Sequence, residues 1–180
     1  MLITPDIHLR RAVPADAQAL ADALRRNIDH MRPWEPYRAD DYYTAQAQAA
    51  RIAEPNQVTW LLFDRSAGGR VVGRVALSSI VLGPLRSASL GYWVDAEYAG
   101  RGLIPAAVEE VCRAAREELG LHRVEAGTLT YNKASQRVLA KCCFTEYGLA
   151  PKYLHIDGEW RDHVLFQRLL HDDPPAHLPK

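Results

Sequence analysis

The spacing of hydrophobic positions changes several times along the chain, and each change predicts a new element. Alternating or continuous apolar residues predict strands at 7–13, 58–64, 71–82, 87–94, 123–130, 144–154 and 159–169. Apolar residues at helical spacing predict helices at 15–30, 40–54, 101–119 and 132–141. The order β-α-α-β-β-β-α-β-α-β-β predicts an α/β (α+β) fold, with a mixed sheet and helices on both faces.

No repeat or linker interrupts this series, so we expect one domain over residues 1–171. The last residues, 172–180, are rich in Pro and Asp, and we expect a flexible tail there. The chain has 180 residues, of which 48% are hydrophobic and 24% charged. This length and composition are typical of one globular domain with a substantial core.

Charge and cysteine content exclude several classes of function. Twenty-two basic residues balance 22 acidic ones, so a broad phosphate-binding surface is absent and we expect no direct nucleic-acid partner. No apolar run approaches the roughly 18 residues of a membrane helix, and the first residues do not resemble a signal peptide. Cys112, Cys142 and Cys143 lack the spacing of a zinc site, so we expect no metal and a reducing, cytoplasmic location.

One segment carries a chemical signal. The strand ending at Val94 runs through a short connection into Gly100-Arg101-Gly102, and a helix begins at once. Glycines let a backbone approach a ligand closely, and the helix N-terminus offers unpaired N–H donors, so the segment suits a pyrophosphate. A plain strand-to-helix turn is the alternative interpretation. A dinucleotide-binding loop is disfavoured because the third glycine is missing.

The residues that follow make the signal specific. Tyr131-Asn132-Lys133-Ala134-Ser135 opens the next predicted helix, which ends near Cys143-Phe144. With the glycine loop, this pattern resembles the GCN5-related N-acetyltransferase (GNAT) superfamily over residues 7–169. Trp34, the strand segment Leu90-Gly91-Tyr92 and the ending from Tyr153 to Leu165 resemble its RimJ/RimL branch in particular.

This resemblance implies an N-acetyltransferase in which an amine attacks acetyl-CoA directly in a ternary complex. It also implies a single domain whose mostly antiparallel sheet separates between its fourth and fifth strands. The residues implied to bind the cofactor are Tyr92, Trp93, Val94, Tyr98, Ala99, Gly100, Arg101, Gly102, Leu103, Ile104, Asn132 and Ser135. Glu97 departs from the Arg or Gln with which the family's loop begins, and Trp93 has the alternative of a core position.

Three catalytic groups follow from the resemblance and from strand alternation. The Val94 N–H is implied to bind the acyl carbonyl oxygen. Ser135 is the candidate acid at the sulfur, because Leu139 stands where many members carry a tyrosine. Glu125 is the candidate base, with Glu35, Asp95 and a water chain as alternatives. An α-amine, with a pKa of about 8, needs less help from a base than a lysine side chain.

Trp34, Glu35 and Tyr37 are the candidate acceptor-binding residues, because they lie in a proline-flanked loop outside the helices. The implied acceptor is the N-terminal amine of a protein, and a small-molecule amine is the alternative. A module that binds acyl-CoA without turnover is a third hypothesis. A monomer and a homodimer both remain open. Arg161, Asp162 and His163 are expected to pair across the last hairpin.

Overall fold

A computed structural model of the chain, which describes residues 1–174, contains one seven-stranded sheet in the order β1-β2-β3-β4-β5-β7-β6. The strands are β1 (Ile7–Arg11), β2 (Val58–Asp64), β3 (Arg70–Val81), β4 (Ser87–Val94), β5 (Arg123–Leu129), β6 (Thr145–Ile156) and β7 (Glu159–Leu169). The helices are α1 (Ala17–Arg26), α2 (Ile28–Met31), α3 (Ala45–Ile52), α4 (Leu103–Glu117) and α5 (Lys133–Lys141). The predicted mixed sheet is confirmed. Residues 175–180 of the predicted tail lie outside the described part of the chain.

Helices cover both faces of the sheet, as predicted. On one face, α4 and α5 pack over β3, β4 and β5 around Val108, Val111 and Leu139. On the other face, α1 and the segment after it pack over β2 and β3 around Leu24 and Leu61. Within residues 1–174, none of the helices combines the length and the apolar character needed to cross a bilayer.

The first predicted helix, 15–30, is wrong as a single element, because the structure breaks it at Asn27. This side chain is buried, donates to the carbonyl oxygen of Ala23 at 2.9 Å and accepts from the N–H of Ala96 at 3.0 Å. The Asn27 side chain thus takes the Ala23 carbonyl oxygen that its own N–H would bind in a continuous helix, and that N–H bonds to Leu24 instead. The second predicted helix starts later than expected, at Ala45, with Thr44 as its N-cap.

Strands β4 and β5 are the one parallel pair within residues 1–174, and they separate after three residues. The pairing joins Ser87 to Arg123, Ala88 to Val124 and Ser89 to Glu125. Beyond it, β4 continues beside β3 as far as Val94 and β5 continues beside β7 as far as Leu129. The expected gap between the fourth and fifth strands is therefore present.

The last hairpin closes in a two-residue turn between Ile156 and Glu159. Asp157 and Gly158 both have positive φ angles, 49° and 79°, as a two-residue type I′ turn requires. Arg161 donates to the carbonyl oxygen of Ile156 at 3.3 Å, and Asp162 accepts from the N–H of Lys152 at 2.8 Å. These contacts confirm that Arg161 and Asp162 pair across the hairpin.

Asp95 ties the end of β4 to helix α1. Its carboxylate is almost completely buried and accepts from Arg26 at 2.9 Å, Asn27 at 3.1 Å and Arg70 at 3.0 Å. Burial alone would raise the pKa of Asp95, but the hydrogen bonds from Asn27, Arg70 and Arg26 outweigh it and lower the pKa from 3.8 to about 2. Asp95 is thus a structural anchor, and a carboxylate of such low pKa is a poor general base.

We expect Asp95→Ala to lower the free energy of unfolding by about 3 kcal/mol, because two arginines would lose a buried partner. Denaturant unfolding measures this change. Asp29→Ala is the control, because the 90% exposed Asp29 side chain pairs only with Arg32 on its own segment and should cost under about 0.5 kcal/mol. The stabilisation of the fold by ionised Asp95 should be fully present above about pH 3.8, the ordinary pKa of aspartate, and should be lost as the pH falls toward 2. Equal losses in the two variants would contradict the anchor.

Cys143 occupies the position after helix α5 that usually belongs to glycine. The N–H groups of Cys143 and Phe144 bond back to Ala140 and Leu139, the pairing of a Schellman motif, and Cys143 has a φ of 57°. This Cβ-bearing residue is therefore strained in a backbone conformation that favours glycine.

We expect Cys143→Gly to raise the free energy of unfolding by about 1 kcal/mol, because glycine adopts a positive φ without a Cβ clash. The exposed thiol contributes no core packing that the change would remove. Thermal or denaturant unfolding gives the answer. Cys143→Ala is the matched control, since alanine keeps the Cβ and should not be stabilising. A gain of the same size in both variants would assign the effect to loss of the thiol.

Candidate active site

The backbone of β4 presents hydrogen-bonding groups to the gap on every second residue. Asp95 donates its N–H to the carbonyl oxygen of Val72 on β3, at 2.8 Å. In an antiparallel ladder the bonds to one neighbour fall on alternate residues, so Trp93 and Gly91 also bond to β3. The N–H groups of Tyr92 and Val94 therefore point to the opposite edge, where β5 has moved away. This orientation agrees with the role predicted for the Val94 N–H.

Trp93 does not lie beside the gap. Its side chain is buried with Leu61, Phe63 and Val71 on the α1 face of the sheet. Since successive residues of a strand point to opposite faces, Trp93 cannot share the face of Tyr92 and Val94. The structure thus corrects the cofactor-binding place predicted for Trp93 and agrees with the core alternative.

The loop after β4 offers backbone donors. Gly100 and Gly102 have φ angles of 76° and 74°, and the space beside each Cα is open. The N–H groups of Tyr98 and Ala99 bond back to Asp95 and Ala96, but those from Gly100 to Ile104 have no acceptor within residues 1–174. Five consecutive free donors at the start of α4 can bind an anion such as a pyrophosphate.

Side chains contribute less to this loop than predicted. Leu103 and Ile104 are buried in the core, and the buried Tyr98 donates its hydroxyl to Asp64 at 2.6 Å. Arg101 lies over the Tyr98 ring and donates to the carbonyl oxygen of Glu97 at 2.7 Å. The loop therefore offers its backbone, with one arginine held alongside.

Tyr92 and Ser135 meet across the gap. The Tyr92 hydroxyl lies 2.8 Å from the Ser135 hydroxyl and 3.2 Å from the Ser135 carbonyl oxygen. Asn132 caps α5 by accepting from the Ser135 N–H at 3.0 Å. Burial raises the pKa of Tyr92 to about 12, although its hydrogen bond with Ser135 offsets part of the increase. Two neutral hydroxyls therefore stand at this place at neutral pH.

Leu139, which occupies the position of the tyrosine acid in many relatives, is fully buried in the core beside α4. It presents no proton donor to the gap. Ser135 and Tyr92 instead bring their hydroxyl groups together beside the gap.

Glu125 lies on the opposite face of the sheet. Its neighbours Val124 and Ala126 pack in the α4 core, so alternation turns Glu125 away from α5 and Ser135. The carboxylate accepts from Tyr147 and Arg123, both at 2.8 Å. Burial alone would raise the pKa of Glu125, but these hydrogen bonds outweigh it and lower the pKa. This carboxylate is held in its ionised form.

A groove of about 700 Å³ lies between the segment after α2 and the tip of the last hairpin. Glu35 and Tyr37 line it, together with His155 and Asp157 of the hairpin. Trp34 instead faces Tyr131, with 6.2 Å between the ring centres. The structure thus brings two of the three predicted acceptor residues into one groove and places the third at the loop that ends β5.

Three features of the site were not predicted from the sequence. Tyr131 was quoted only as part of a motif, although an aromatic residue directly after a buried strand was a usable signal. The hairpin residues His155 and Asp157 carry no local signal, because their place beside Tyr37 depends on how distant elements pack. The bond between Tyr92 and Ser135 likewise joins residues far apart in the chain.

Comparison with known proteins agrees with this geometry. The pattern that defines the acetyltransferase (GNAT) domain matches residues 6–145. A Bacillus subtilis protein named Probable N-acetyltransferase YjcK is 36% identical, and the match covers 96% of this chain and 99% of that protein.

Two solved structures are also similar. The Ribosomal-protein-S5-alanine Acetyltransferase from Vibrio fischeri superimposes with a TM-score of 0.90 at 29% identity, over 96% of this chain and 97% of that one. Mycobacterium smegmatis RimJ in complex with CoA-disulfide gives a TM-score of 0.77 at 30% identity, over 91% and 81% of the two chains. The chain belongs to the GNAT family and to its RimJ/RimL-like branch, and it is an N-acetyltransferase.

Proposed function

We propose that this enzyme transfers the acetyl group of acetyl-CoA to the N-terminal amine of a protein, by direct attack in a ternary complex. The observation that carries the proposal is the row of free N–H groups from Gly100 to Ile104, next to the gap between β4 and β5. A similar structure, that of RimJ, contains CoA in the form of a disulfide. The identity of the acceptor rests on the groove and on the names of the relatives.

The residues around the gap suit acetyl-CoA. The free N–H groups of the glycine loop would hold the pyrophosphate, and the open space beside Gly100 and Gly102 leaves room for it. When bound, acetyl-CoA supplies an acetyl group activated as a thioester. The Val94 N–H, which points into the gap, would donate to the carbonyl oxygen as negative charge develops there. Asn132 and Ser135 border the gap from the α5 side.

An open, aromatic groove suits an extended peptide. Tyr37 is 86% exposed, and with Tyr43, Met31 and Pro36 it lines a groove that a chain terminus could enter. The Vibrio fischeri protein is named for an acceptor of this kind, the alanine of ribosomal protein S5. Since the net charge is zero, recognition would depend on a short segment and not on a broad electrostatic field. A ribosomal acceptor would also imply a cytoplasmic location.

Removal of the amine proton is assigned to water. The lowered pKa of Glu125 makes this carboxylate a weak base. An N-terminal amine has a pKa of about 8, so a useful fraction is neutral at pH 7 without a strong base.

A small-molecule amine is the second candidate acceptor. Glu35, Asp40 and Asp157 line the groove, and three carboxylates would attract a cationic amine. Arg32 and Arg38 line the same groove and offset that charge, which favours a peptide that offers both apolar and polar groups.

We expect efficient acetylation of peptides that begin with a small residue and have a free N-terminal amine. The assay is CoA release with a panel of peptides and small amines. The open groove should give peptides a kcat/KM at least about tenfold above polyamines and amino-acid amines. N-terminally blocked copies of the same peptides are the control and should release no CoA. Turnover of small amines alone would contradict the peptide proposal.

Gly100→Asp should weaken CoA binding at least about 100-fold, because a carboxylate within about 4 Å of a phosphate costs several kcal/mol. Calorimetry with CoA measures the dissociation constant directly. Gly68→Asp is the matched control: Gly68 has a similar φ of 67° and equally open surroundings, in the turn between β2 and β3. If both variants bind CoA with the wild-type affinity, the pyrophosphate lies elsewhere.

A further inference from the structure

The closest link between the two sides of the gap is a pair of hydroxyl groups. Tyr92 reaches over from β4, and Ser135 stands on the first turn of α5, which follows β5. Their oxygens are 2.8 Å apart, within the range of a strong O–H···O hydrogen bond. Tyr92 lies two residues before Val94, whose N–H the proposed function assigns to the thioester carbonyl oxygen.

The chemistry at the sulfur calls for an acid stronger than serine. A departing thiolate has the basicity of a thiol with a pKa near 8.5. A tyrosine phenol, even with its pKa raised to about 12 as at Tyr92, is a better match than an alkyl hydroxyl. Leu139 cannot supply a phenol, since it is an aliphatic residue buried in the core. Tyr92 is the phenol that the structure holds against Ser135.

We propose that Tyr92 is a positioning residue that delivers a proton to the departing sulfur through the Ser135 hydroxyl. The inference rests on the proposed use of acetyl-CoA in the gap, and it holds for any primary amine that the enzyme acetylates. Ser135 touches the sulfur, and Tyr92 acts behind it.

Protons and electrons balance in this scheme. The amine nitrogen forms the bond to the acetyl carbon, and the carbon–sulfur bond breaks with its electron pair on sulfur. Ser135 Oγ gives its proton to the sulfur and takes the proton of Tyr92 Oη, and water then reprotonates the phenolate. The surplus proton of the amine leaves to water, so an amine and a thioester become an amide and a thiol.

The surroundings hold both groups in the required state. The raised pKa keeps Tyr92 protonated at neutral pH, so it is a donor before each turnover. The Asn132 cap on the Ser135 N–H holds the first turn of α5 in place. The Ser135 carbonyl oxygen, at 3.2 Å, is a longer second acceptor for the Tyr92 hydroxyl, and the shorter contact leads to Oγ.

Tyr92→Phe tests the proposal, because it removes one oxygen and keeps the ring. With the best amine found for the wild-type enzyme, kcat should fall about 100-fold while the KM for acetyl-CoA stays within twofold. Ser135→Ala should cause a similar fall, and the double variant should be no slower than either single one, because both act in one chain.

Two readouts separate proton delivery from support of the helix. In a proton inventory, kcat is plotted against the fraction of D2O in the solvent. The wild-type plot should be curved, since two protons move together, and the Tyr92→Phe plot should be a straight line. The thiol of bound CoA, titrated by the ultraviolet absorbance of its thiolate, should have a higher pKa in Tyr92→Phe than in the wild-type protein. The protein without CoA provides the baseline for its own cysteines.

Tyr42→Phe is the control, because this partly buried tyrosine packs on the α1 face of the sheet, with its ring against Arg38 and Arg51. It should leave kcat, the solvent isotope curve and the thiol pKa unchanged. The proposal is overturned if Tyr92→Phe, folded with the wild-type melting temperature, keeps the wild-type isotope curve and thiol pKa, whatever its kcat. Failure of every peptide acceptor alongside turnover of a small amine would instead contradict only the proposed acceptor.

Discussion

The separation of two neighbouring strands is the constraint on which the site depends. After three shared residues, β4 keeps β3 as its only partner and β5 keeps β7. Backbone groups on the facing edges, among them the N–H of Val94, are left without a strand to bind. Because unpaired polar groups inside a protein are costly, such a gap is stable when water or a ligand occupies it. The separation of β4 and β5 thus leaves a strand edge to which the polar chain of a ligand can form hydrogen bonds.

The rest of the molecule holds this gap open. The buried carboxylate of Asp95 joins the end of β4 to α1 through Arg26 and Asn27, on the side of the sheet away from α5. On the other side, α5 follows β5 and carries Ser135 to within reach of Tyr92. Asp95, Arg26 and Asn27, which look like surface polar residues in the sequence, therefore have a structural role.

Strand alternation gives neighbouring residues of β4 different surroundings and different roles. Tyr92 and Val94 face the α4 side and direct their N–H groups into the gap, whereas Trp93 between them faces the opposite core. A contiguous motif was therefore an incomplete guide to the site, since it counted all three residues together. The same alternation sets Glu125 apart from Ser135, although both border the gap between β4 and β5.

Hydrophobic periodicity, glycine and capping residues act over short distances. The amino-acid sequence was therefore sufficient to predict the order of the strands along the chain, the bounds of β4, the glycine loop at α4 and the cap at Asn132. The break at Asn27, the burial of Trp93, the pairing of Glu125 and the bond between Tyr92 and Ser135 were decided by the tertiary structure alone. Each depends on a partner at least 22 residues away in the chain, which for Glu125 is Tyr147, and local patterns contain no information about such partners. The family pattern implied the chemistry, and the packing decided which side chains stand where that chemistry can happen.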